Sequence, residues 1–313
     1  MTTTRIRIEQ AGPYVTLQDS GRPGHMRYGV SASGPMDSTS FTAANLAIGN
    51  PADATCIEVS LGGLIIECLS GEITLGMNGG EFGIQLAGQP VQPNSVLTLT
   101  AGQLLAVQPG KIGSWCYVAF AGHPEVPEWL GRTATHALSG FGGGVLQSDQ
   151  EIDITQSRTH PELEGPIPQF TQRKFGQHLR VVMGPQDQHF VGKATERFLN
   201  SEFTLSSAYD RMGIRLNGPK LELADSLSIP SEPVLKGSVQ VSGDGIPTIL
   251  LADHQTTGGY PKIATVVSAD LDDFAQMRPQ QKIRFHAIEP QDAIKLSRVR
   301  DIELRTYFDS ITP

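Results

Sequence analysis

The sequence predicts a mainly β protein with a few helices, divided into two domains. Short apolar runs recur between residues 57 and 122, separated by glycines. Their spacing of about 8–12 residues is typical of antiparallel sandwiches and barrels. The 34 glycines and 21 prolines suit many strands joined by tight turns better than a helical bundle. A chain of 313 residues is also long enough for two domains.

Strand and helix signals can be placed along the first half of the chain. Residues 5–9 alternate polar and apolar side chains, as a half-buried strand does. Asp37 or Ser38 is placed to cap a helix that ends at Gly49. Residues 123–154 lack this regularity, and two interpretations of them stay open. Either they form a long loop that closes a barrel, or Arg132, with hydroxyl side chains beside it, binds an anion.

A segment with three prolines and little periodicity, residues 155–176, is typical of a linker. It predicts an N-terminal half over residues 1–154 and a C-terminal half over residues 177–313. In the C-terminal half, Asp187 is placed to cap a helix with Phe190, Ala194 and Phe198 on its apolar side.

Two further helices are expected near the end of the chain. A short one is predicted over residues 270–277, and Pro290 is expected to start a closing helix. One face of the closing helix is apolar and consists of Ala293, Leu296, Val299 and Ile302.

Charge and composition argue against several classes of function. There are 24 basic and 32 acidic residues, a net charge of −8, without a basic run, which fits neither nucleic acid nor an anionic membrane. The N-terminus shows no signal peptide, and no stretch approaches the roughly 20 apolar residues of a spanning helix. The three cysteines lie in apolar runs without a CxxC pair, as buried thiols in a reducing compartment do. We therefore expect a cytoplasmic protein.

Common catalytic and nucleotide-binding motifs are missing from the sequence. Walker A, GxGxxG, HExxH and GxSxG patterns do not occur, so any nucleotide is not bound by a P-loop. The eight histidines show no metal-ligand spacing, and no metal site is predicted. A lone histidine such as His254 is interpreted as a satisfied polar residue.

The densest set of polar groups lies between two apolar runs, residues 248–252 and 263–267. Loops between buried strands often display chemistry on a rigid scaffold, and Gly258 and Gly259 let the backbone approach a ligand. The polar side chains of this loop include Asp253, Gln255, Thr256, Thr257, Tyr260 and Lys262. The alternative interpretation is a long hairpin turn with solvated side chains.

Several motifs occur in the order that one protein family shows. In the first half they are Gln18-Asp-Ser-Gly-Arg22, Gly29-Val-Ser-Ala-Ser-Gly-Pro-Met-Asp37, Ala44-Asn45, Gly49-Asn50 and Glu58. In the second half they are Gly184-Pro-Gln186, Asp210-Arg-Met-Gly-Ile-Arg-Leu216 and Asp253-His-Gln-Thr-Thr-Gly-Gly-Tyr-Pro-Lys262. With these motifs the chain resembles the allophanate hydrolase subunit 2 family over nearly its whole length. It departs from the usual pattern at residues 122–124, 131–135, 148–149 and 231–233, which concerns the substrate more than the fold.

The resemblance implies two linked β-barrel-like halves, the C-terminal one cyclophilin-like. It also implies assembly with a protein of the allophanate hydrolase subunit 1 type and with a lactam-utilisation (LamB-like) subunit. Activities associated with the family are ATP-dependent 5-oxoprolinase, the carboxyltransferase part of urea carboxylase, and antagonism of a kinase inhibitor. A free-standing chain of this length resembles the C subunit of 5-oxoprolinase more than the large fused carboxylase. ATP, with Mg²⁺, is then the expected cofactor, and any biotin would be carried by another chain because no biotin-accepting Met-Lys segment occurs here.

Opening 5-oxoproline, an unstrained five-membered lactam, is unfavourable enough to need ATP. A suitable site needs cations and backbone donors around phosphate, a group that holds the substrate carboxylate, and a base for water. Arg211 and Arg215 are suited to bidentate anion contacts, and Asp210 or Asp253 to the base or a magnesium ligand. Alternatively, residues 210–215 form an ion-pair cluster that pins a barrel corner.

These arguments give a set of candidate residues. The catalytic candidates are Asp210, Asp253 and Lys262. The candidates for binding substrate or phosphate are Arg211, Arg215, Gln255, Thr256, Thr257, Gly258, Gly259, Tyr260 and Arg132. The resemblance adds an N-terminal motif, which consists of Gln18, Asp19, Arg22, Asp37, Asn45 and Asn50. Carboxyl transfer from carboxybiotin and a non-catalytic regulatory partnership with subunit 1 stay open as alternative functions.

Overall fold

The computed structural model describes residues 2–173, 178–224 and 229–313. The chain divides into two compact units. Unit 1 consists of Met1–Arg22, Ser33–Thr171 and Leu304–Pro313, and unit 2 of Pro23–Ala32 and Gln172–Glu303. The predicted linker over residues 155–176 ends in residues outside the described ones, and the predicted domain limits stay a prediction.

Unit 1 is built from two antiparallel sheets. Its strands are β1 (Thr3–Ala11), β2 (Thr16–Gln18), β3 (Cys56–Val59), β4 (Leu64–Ser70), β5 (Glu72–Gly79), β6 (Gly83–Leu86), β7 (Gln89–Val91), β8 (Ser95–Thr100), β9 (Leu104–Gln108), β10 (Cys116–Phe120), β11 (His123–Pro124), β12 (Glu151–Thr155) and β13 (Gly165–Pro166). One sheet has the order β11-β12-β1-β4-β9-β6-β7, and the other β13-β8-β5-β10-β3-β2. The apolar runs predicted to be strands are therefore strands.

Alternation along β1 shows why these residues form a strand. Ile6 and Ile8 are fully buried, whereas Arg5 lies on the other face and forms an ion pair with Asp153 of β12. Strand β12 itself falls in the stretch where the sequence showed no regular pattern. Its place in the sheet comes from pairing with β1, which is distant in sequence. No local sequence pattern predicts this pairing.

Helix α1 (Ser38–Leu46) begins and ends as predicted. Asp37 accepts a hydrogen bond from the Ser40 backbone N–H at 3.0 Å, which caps the first turn. Gly49 has a positive φ of 71° just after the helix. The helix packs closely on β5, since a Cβ at Gly76 would collide with the Ala44 carbonyl oxygen.

Unit 2 contains a closed barrel. Its strands are β14 (His178–Met183), β15 (Phe203–Tyr209), β16 (Gly213–Asn217), β17 (Glu232–Pro233), β18 (Ser238–Val241), β19 (Pro247–Leu250), β20 (Thr257–Gly258), β21 (Lys262–Val266) and β22 (Lys282–Ala287). The barrel order is β14-β21-β18-β19-β16-β15-β22, and β17 pairs with β20 outside it. The prediction of a mainly β fold, with a barrel in the second half, is confirmed.

The other helices are α2 (Ala194–Asn200), α3 (Ser268–Ala275) and α4 (Pro290–Ile311), with short 3₁₀ helices at Met26–Tyr28, Pro161–Leu163 and Asp187–His189. The predicted helix capped by Asp187 is wrong. Phe190 is extended and forms a β-bridge with Leu223, so the chain leaves the helical conformation before α2 begins.

The closing helix starts at Pro290 as predicted, but its apolar face is only partly covered. Val299 is 52% exposed and Ile302 is 64% exposed. An amphipathic pattern therefore predicted the helix without predicting how much of its apolar side is buried.

Residues 251–261 are a crossover connection. Strands β19 and β21 are not paired with each other, because both are antiparallel neighbours of β18. They are therefore parallel to each other, and the chain must run back along the barrel between them. The hairpin interpretation of this stretch is wrong for that reason.

Candidate active site

A row of polar side chains lies on the outer face of the barrel of unit 2. Ile214, Ile249 and Val239 are in register on β16, β19 and β18 and are fully buried. The next residues in register across these strands are Arg215, Thr248 and Gln240. Because successive residues of a strand point to opposite faces, this second row points away from the barrel interior.

The row forms a wall of a groove of about 460 Å³. This volume lies within the range of small-molecule sites. The apolar part of the lining includes Met212 and Leu250. The polar part consists of Asp210, Arg215, Gln240, Ser242, Thr248, Gln255 and Tyr260. The fold thus brings four of the predicted residues together: Asp210, Arg215, Gln255 and Tyr260.

Asp210 is held at the turn between β15 and β16. Its Oδ1 accepts hydrogen bonds from the backbone N–H groups of Met212 at 2.8 Å and Gly213 at 3.1 Å. Its Oδ2 makes no hydrogen bond within the described residues. One carboxylate oxygen is therefore fixed, and the other is available to a ligand, a metal ion or water.

Arg215 supplies positive charge to the groove. Its guanidinium forms an ion pair with Asp244, and the two side chains are 41% and 43% exposed. A hydrogen bond from Ser242 and the nearby Arg215 hold the pKa of the Asp244 carboxyl below its usual value. This pair is open to solvent, so the remaining guanidinium N–H groups can reach an anionic ligand.

Two carboxamides connect the groove wall to the crossover. Gln240 Nε2 donates to the backbone carbonyl of Tyr260 at 3.3 Å. Gln255 Nε2 donates to Gln240 Oε1 at 3.1 Å. Close contact at Gly258 supports this arrangement, since a Cβ there would lie 2.6 Å from Gln240 Nε2.

Lys262 continues the same row on the next strand, where it lies opposite Gln240. Its side chain is buried, and Nζ lies 3.8 Å from Glu232 Oε2. Within the part of the chain that the structure describes, Nζ makes no hydrogen bond. Gln186 Oε1 accepts the Lys262 backbone N–H at 3.0 Å, and Gln186 also donates to Glu232. The result is a poorly solvated cation with one carboxylate partner.

Arg211 and Asp253 form a different kind of pair. Two hydrogen bonds of 3.0 Å join the guanidinium to the carboxylate, and both side chains are 1% exposed. Neither residue lines the groove. The ion-pair interpretation therefore fits Arg211 and Asp253, whereas Asp210 and Arg215 of the same motif face the groove.

The remaining loop candidates hold the loop itself. Strand β20 pairs Thr257 and Gly258 with β17. The Thr256 carbonyl accepts from Val234 at 3.2 Å, and the Gly259 carbonyl accepts from Ile229 at 2.8 Å. Phosphate binding by Thr256, Thr257, Gly258 and Gly259 stays a prediction.

Part of the N-terminal motif organises the loop that contains Arg132. Gln18 donates to the Thr135 carbonyl at 3.0 Å, and Asp19 accepts from the Thr133 N–H at 2.9 Å. Arg22 donates to the carbonyls of the same loop and lies 5.0 Å from the Trp129 ring. Arg132 itself forms an ion pair with Asp53 at 3.1 Å, so an anion would have to compete with that carboxylate.

The rest of the motif joins α1 to the strands behind it. Asn45 donates to the Ala54 carbonyl at 2.9 Å, and Asn50 donates to the Phe120 carbonyl at 2.7 Å. Glu58 accepts from the Tyr117 hydroxyl at 2.8 Å and from a backbone N–H. These side chains are buried, and their bonds lie within unit 1.

His254 is a satisfied polar residue, as predicted. Its Nδ1 lies 2.6 Å from the Gln255 carbonyl, which can only accept, so Nδ1 carries the proton. Burial lowers the pKa of His254 below its usual value. The neutral imidazole therefore fits this position.

Sequence reasoning missed several residues of the site. Gln240, Ser242 and Thr248 line the groove, and Glu232 faces Lys262. An alternating pattern predicts that Gln240 lies on a strand, but it does not predict which loop packs against that strand. Gln186 was part of a quoted motif, but its contact with Lys262 depends on barrel order.

A metal-binding cluster and a membrane-spanning helix are not found in the described part of the chain. No cluster of three or more His, Cys, Asp and Glu side chains there is arranged to hold a metal ion. None of its helices has both the length and the apolar character needed to cross a bilayer.

Proteins of similar sequence are known. The family model described as the carboxyltransferase domain, subdomain A and B, matches residues 28–287. The C subunit of 5-oxoprolinase from Haemophilus influenzae is 35% identical over 301 residues, which covers 95% of this chain and 94% of that protein. The protein of the same name from Escherichia coli is 32% identical over 310 residues, or 98% and 97% of the two chains. A urea amidolyase from Lachancea kluyveri is 30% identical over 331 residues, which is 97% of this chain but 18% of that protein.

Solved structures also match this chain over most of its length. The crystal structure of the Kluyveromyces lactis urea carboxylase matches with a TM-score of 0.86 and 26% identity, over 97% of this chain and 29% of that one. The K. lactis urea amidolyase matches with a TM-score of 0.85 over 20% of its length. The chain therefore spans under a third of these large proteins, whereas it spans nearly all of each of the two 5-oxoprolinase relatives.

Proposed function

Because the chain belongs to the family of carboxyltransferase domains, subdomain A and B, we propose that it is the C subunit of an ATP-dependent 5-oxoprolinase complex. The complex opens 5-oxo-L-proline to L-glutamate. Similarity to two proteins named as the C subunit of 5-oxoprolinase, over nearly the full length of both chains, is the observation that carries the proposal.

The groove of unit 2 supports this function because it holds the groups that lactam opening needs. Arg215 offers a solvent-accessible cation to the substrate carboxylate. Asp210 offers a fixed carboxylate with an available oxygen, which suits the activation of water or a magnesium ligand. Gln255 and Tyr260 offer hydrogen-bonding groups on the facing crossover.

Lys262 lies beside this groove in a buried position. A cation stabilises the negative charge that develops on a transferring phosphoryl group or a lactam oxygen, and it does so more strongly where water is excluded. ATP supplies the phosphoryl group that activates the lactam oxygen. The groove volume of about 460 Å³ fits a small lactam together with that group.

Co-expression with the adjacent genes tests the proposal directly. The purified complex is expected to release glutamate from 5-oxoproline in proportion to the ATP consumed. Asp210→Asn in the same complex is expected to lower turnover strongly, whereas Asp292→Asn, an exposed carboxylate on α4, is expected to leave it unchanged. A wild-type complex that assembles and releases no glutamate contradicts the proposal.

The chain is expected to need partners for this activity. We propose a subunit 1-type protein and a LamB-like subunit as those partners. In size-exclusion chromatography, the co-expressed chains are expected to elute together, with an interface beyond roughly 1,000 Å². Separate elution of each chain at its own mass argues against a stable complex.

Carboxyl transfer from carboxybiotin to an amide nitrogen is a second candidate. It is favoured by the urea amidolyase relative and by the urea carboxylase structure, both of which match over 97% of this chain. A biotin carboxylase with a carrier domain encoded beside this chain, and biotin-dependent bicarbonate incorporation, would favour it over 5-oxoprolinase. A third candidate, a non-catalytic regulator of subunit 1, predicts that Asp210→Asn leaves the activity of the complex unchanged.

A further inference from the structure

The carboxamide pair in the groove has a fixed direction. The Tyr260 backbone carbonyl can only accept a hydrogen bond, so the Gln240 group that faces it at 3.3 Å must be Nε2. Gln240 Oε1 then faces Gln255 and must receive a donor, which Gln255 Nε2 provides at 3.1 Å. One backbone carbonyl thus sets the orientation of both side chains.

We call the hydrogen bonds that run from the Tyr260 carbonyl through Gln240 to Gln255 the relay. Their direction leaves an acceptor at the end of the relay. Gln255 lines the groove, and its Oε1 has no hydrogen bond within the residues that the structure describes. If the relay ran the other way, Gln255 would instead end in a donor. The relay therefore ends in a carboxamide oxygen of a residue that lines the groove together with Thr248 and Arg215.

We infer that Gln255 Oε1 accepts the ring N–H of the lactam and that Gln240 positions Gln255 for this contact. The inference rests on the proposed function and names the group that reads the amide of its substrate. The ring amide carries an N–H donor where the lactone analogue carries an oxygen, which can only accept. A site built to accept an N–H rejects an isostere that lacks it, because its own acceptor is left unpaired.

Arg215 complements this contact, because it offers a cation to the carboxylate that the lactam carries on the carbon next to its ring N–H. It lies on β16, two strands away from Gln240 of β18, with Thr248 of β19 between them. The substrate carboxylate at Arg215 and the ring N–H at Gln255 define a ligand with an anion and an amide donor on one small ring. This is the chemical class of a five-membered lactam carboxylate.

Competition binding to the assembled complex tests the inference. The two probes are 5-oxoproline and its lactone analogue, in which a ring oxygen replaces the N–H group. In the wild type, the lactone is expected to bind at least about tenfold more weakly, because its ring oxygen faces the Gln255 oxygen. In Gln255→Leu, 5-oxoproline is expected to weaken by about tenfold or more, so that the two probes bind within about threefold of each other.

Gln240→Leu separates positioning from contact. The substituted side chain still fills the wall but no longer orients Gln255, so KM for 5-oxoproline is expected to rise about three- to tenfold while kcat changes little. Thr204→Val is the matched control. It removes a hydroxyl from β15 of the same barrel, outside the groove lining, and its preference for lactam over lactone is expected to equal that of the wild type.

The outcomes are distinguishable. Equal binding of lactam and lactone by the wild type overturns the inference, as does a Gln255→Leu complex that assembles normally and keeps the wild-type preference. A wild-type complex that binds neither probe and opens no 5-oxoproline contradicts the proposed function itself, and this is seen before any variant is made.

Discussion

The two dense polar motifs of this chain look alike in sequence and differ in structure. In unit 1, Asp19, Asn45 and Asn50 are buried, and each bonds to backbone groups of neighbouring segments. In unit 2, Asp210 and Gln255 each keep an oxygen without a hydrogen bond among the described residues, and both line one groove.

The difference separates side chains that build the fold from side chains that are available to a ligand. A buried polar group that has satisfied its hydrogen bonds stabilises the structure and has little capacity left for a substrate. A polar group that is fixed by some of its bonds and open at the others is placed for binding. By this criterion Arg211 and Asp253 resemble the motif of unit 1, although they lie within the motif of unit 2.

The largest expected effect is on stability and concerns the buried ion pair of Arg211 and Asp253. Arg211→Met removes the guanidinium that pairs with the buried Asp253 carboxylate, and it is expected to lower the free energy of unfolding by about 3–5 kcal/mol. Arg215→Met is the matched control, because it breaks the exposed pair with Asp244, which contributes about 0–1 kcal/mol. Urea unfolding of both variants checks the contrast, and equal losses would erase the distinction between the two arginines.

The next effect is on catalysis and concerns Lys262. Lys262→Met is expected to lower turnover of the assembled complex by about 10²–10³, or about 3–4 kcal/mol of transition-state stabilisation. Lys262→Arg is expected to restore only part of it, since the planar fork replaces a compact charge. Lys282→Met is the control, because Lys282 is exposed and pairs with Glu202. Near wild-type turnover of Lys262→Met would place Lys262 with the structural side chains.

A smaller effect is expected inside unit 1. Tyr117→Phe removes the donor to Glu58 and the acceptor of the Asp37 N–H, both at 2.8 Å. The loss of these buried hydrogen bonds is expected to cost about 1–3 kcal/mol of unfolding free energy. Tyr14→Phe, at a tyrosine that is 40% exposed, is the control and should be nearly neutral. If Tyr117→Phe also lowered the turnover of a stable complex, the purely structural view of this motif would be wrong.

The sequence predicts the elements that depend on local patterns. Asp37 as an N-cap, Gly49 after the helix and Pro290 at the start of α4 all follow from short-range chemistry, and the structure confirms them. The apolar runs predict strands for the same reason. The helix expected after Asp187 fails because Phe190 pairs with Leu223, a contact between distant residues.

The site is less predictable because it depends on barrel order. Asp210, Arg215, Gln255 and Tyr260 are placed together only when β16, β19 and β18 pair in register and the crossover returns over them. Nothing in the motif around Arg211 distinguishes it from Arg215, yet one is 1% exposed and the other 41%. Arg211 lies in the turn between β15 and β16, whereas Arg215 lies within β16, so the course of that turn decides which of the two faces the groove.

The smallest expected effect is on the pH dependence of stability and concerns His254. This residue lies next to Gln255, but its side chain is buried and hydrogen-bonded like the polar side chains of unit 1. Burial lowers its pKa, so at acidic pH the unfolded chain binds a proton that the folded chain resists. The stability that neutral His254 contributes is therefore fully present above its unfolded pKa of about 6.5. It is lost as the pH falls through the lower pKa of the folded state.

His254→Asn is expected to remove this pH dependence while keeping a donor for the Gln255 carbonyl. The unfolding free energy of the wild type, measured from pH 7.5 to pH 5, is expected to fall more steeply than that of the variant. The difference in slope should stay below the one-proton limit of about 1.4 kcal/mol per pH unit. Parallel curves would show that His254 takes up its proton equally in the folded and unfolded chains. His254 would then count among the side chains that are available to solvent or a ligand. It directly precedes Gln255, whose oxygen we assign to the lactam N–H.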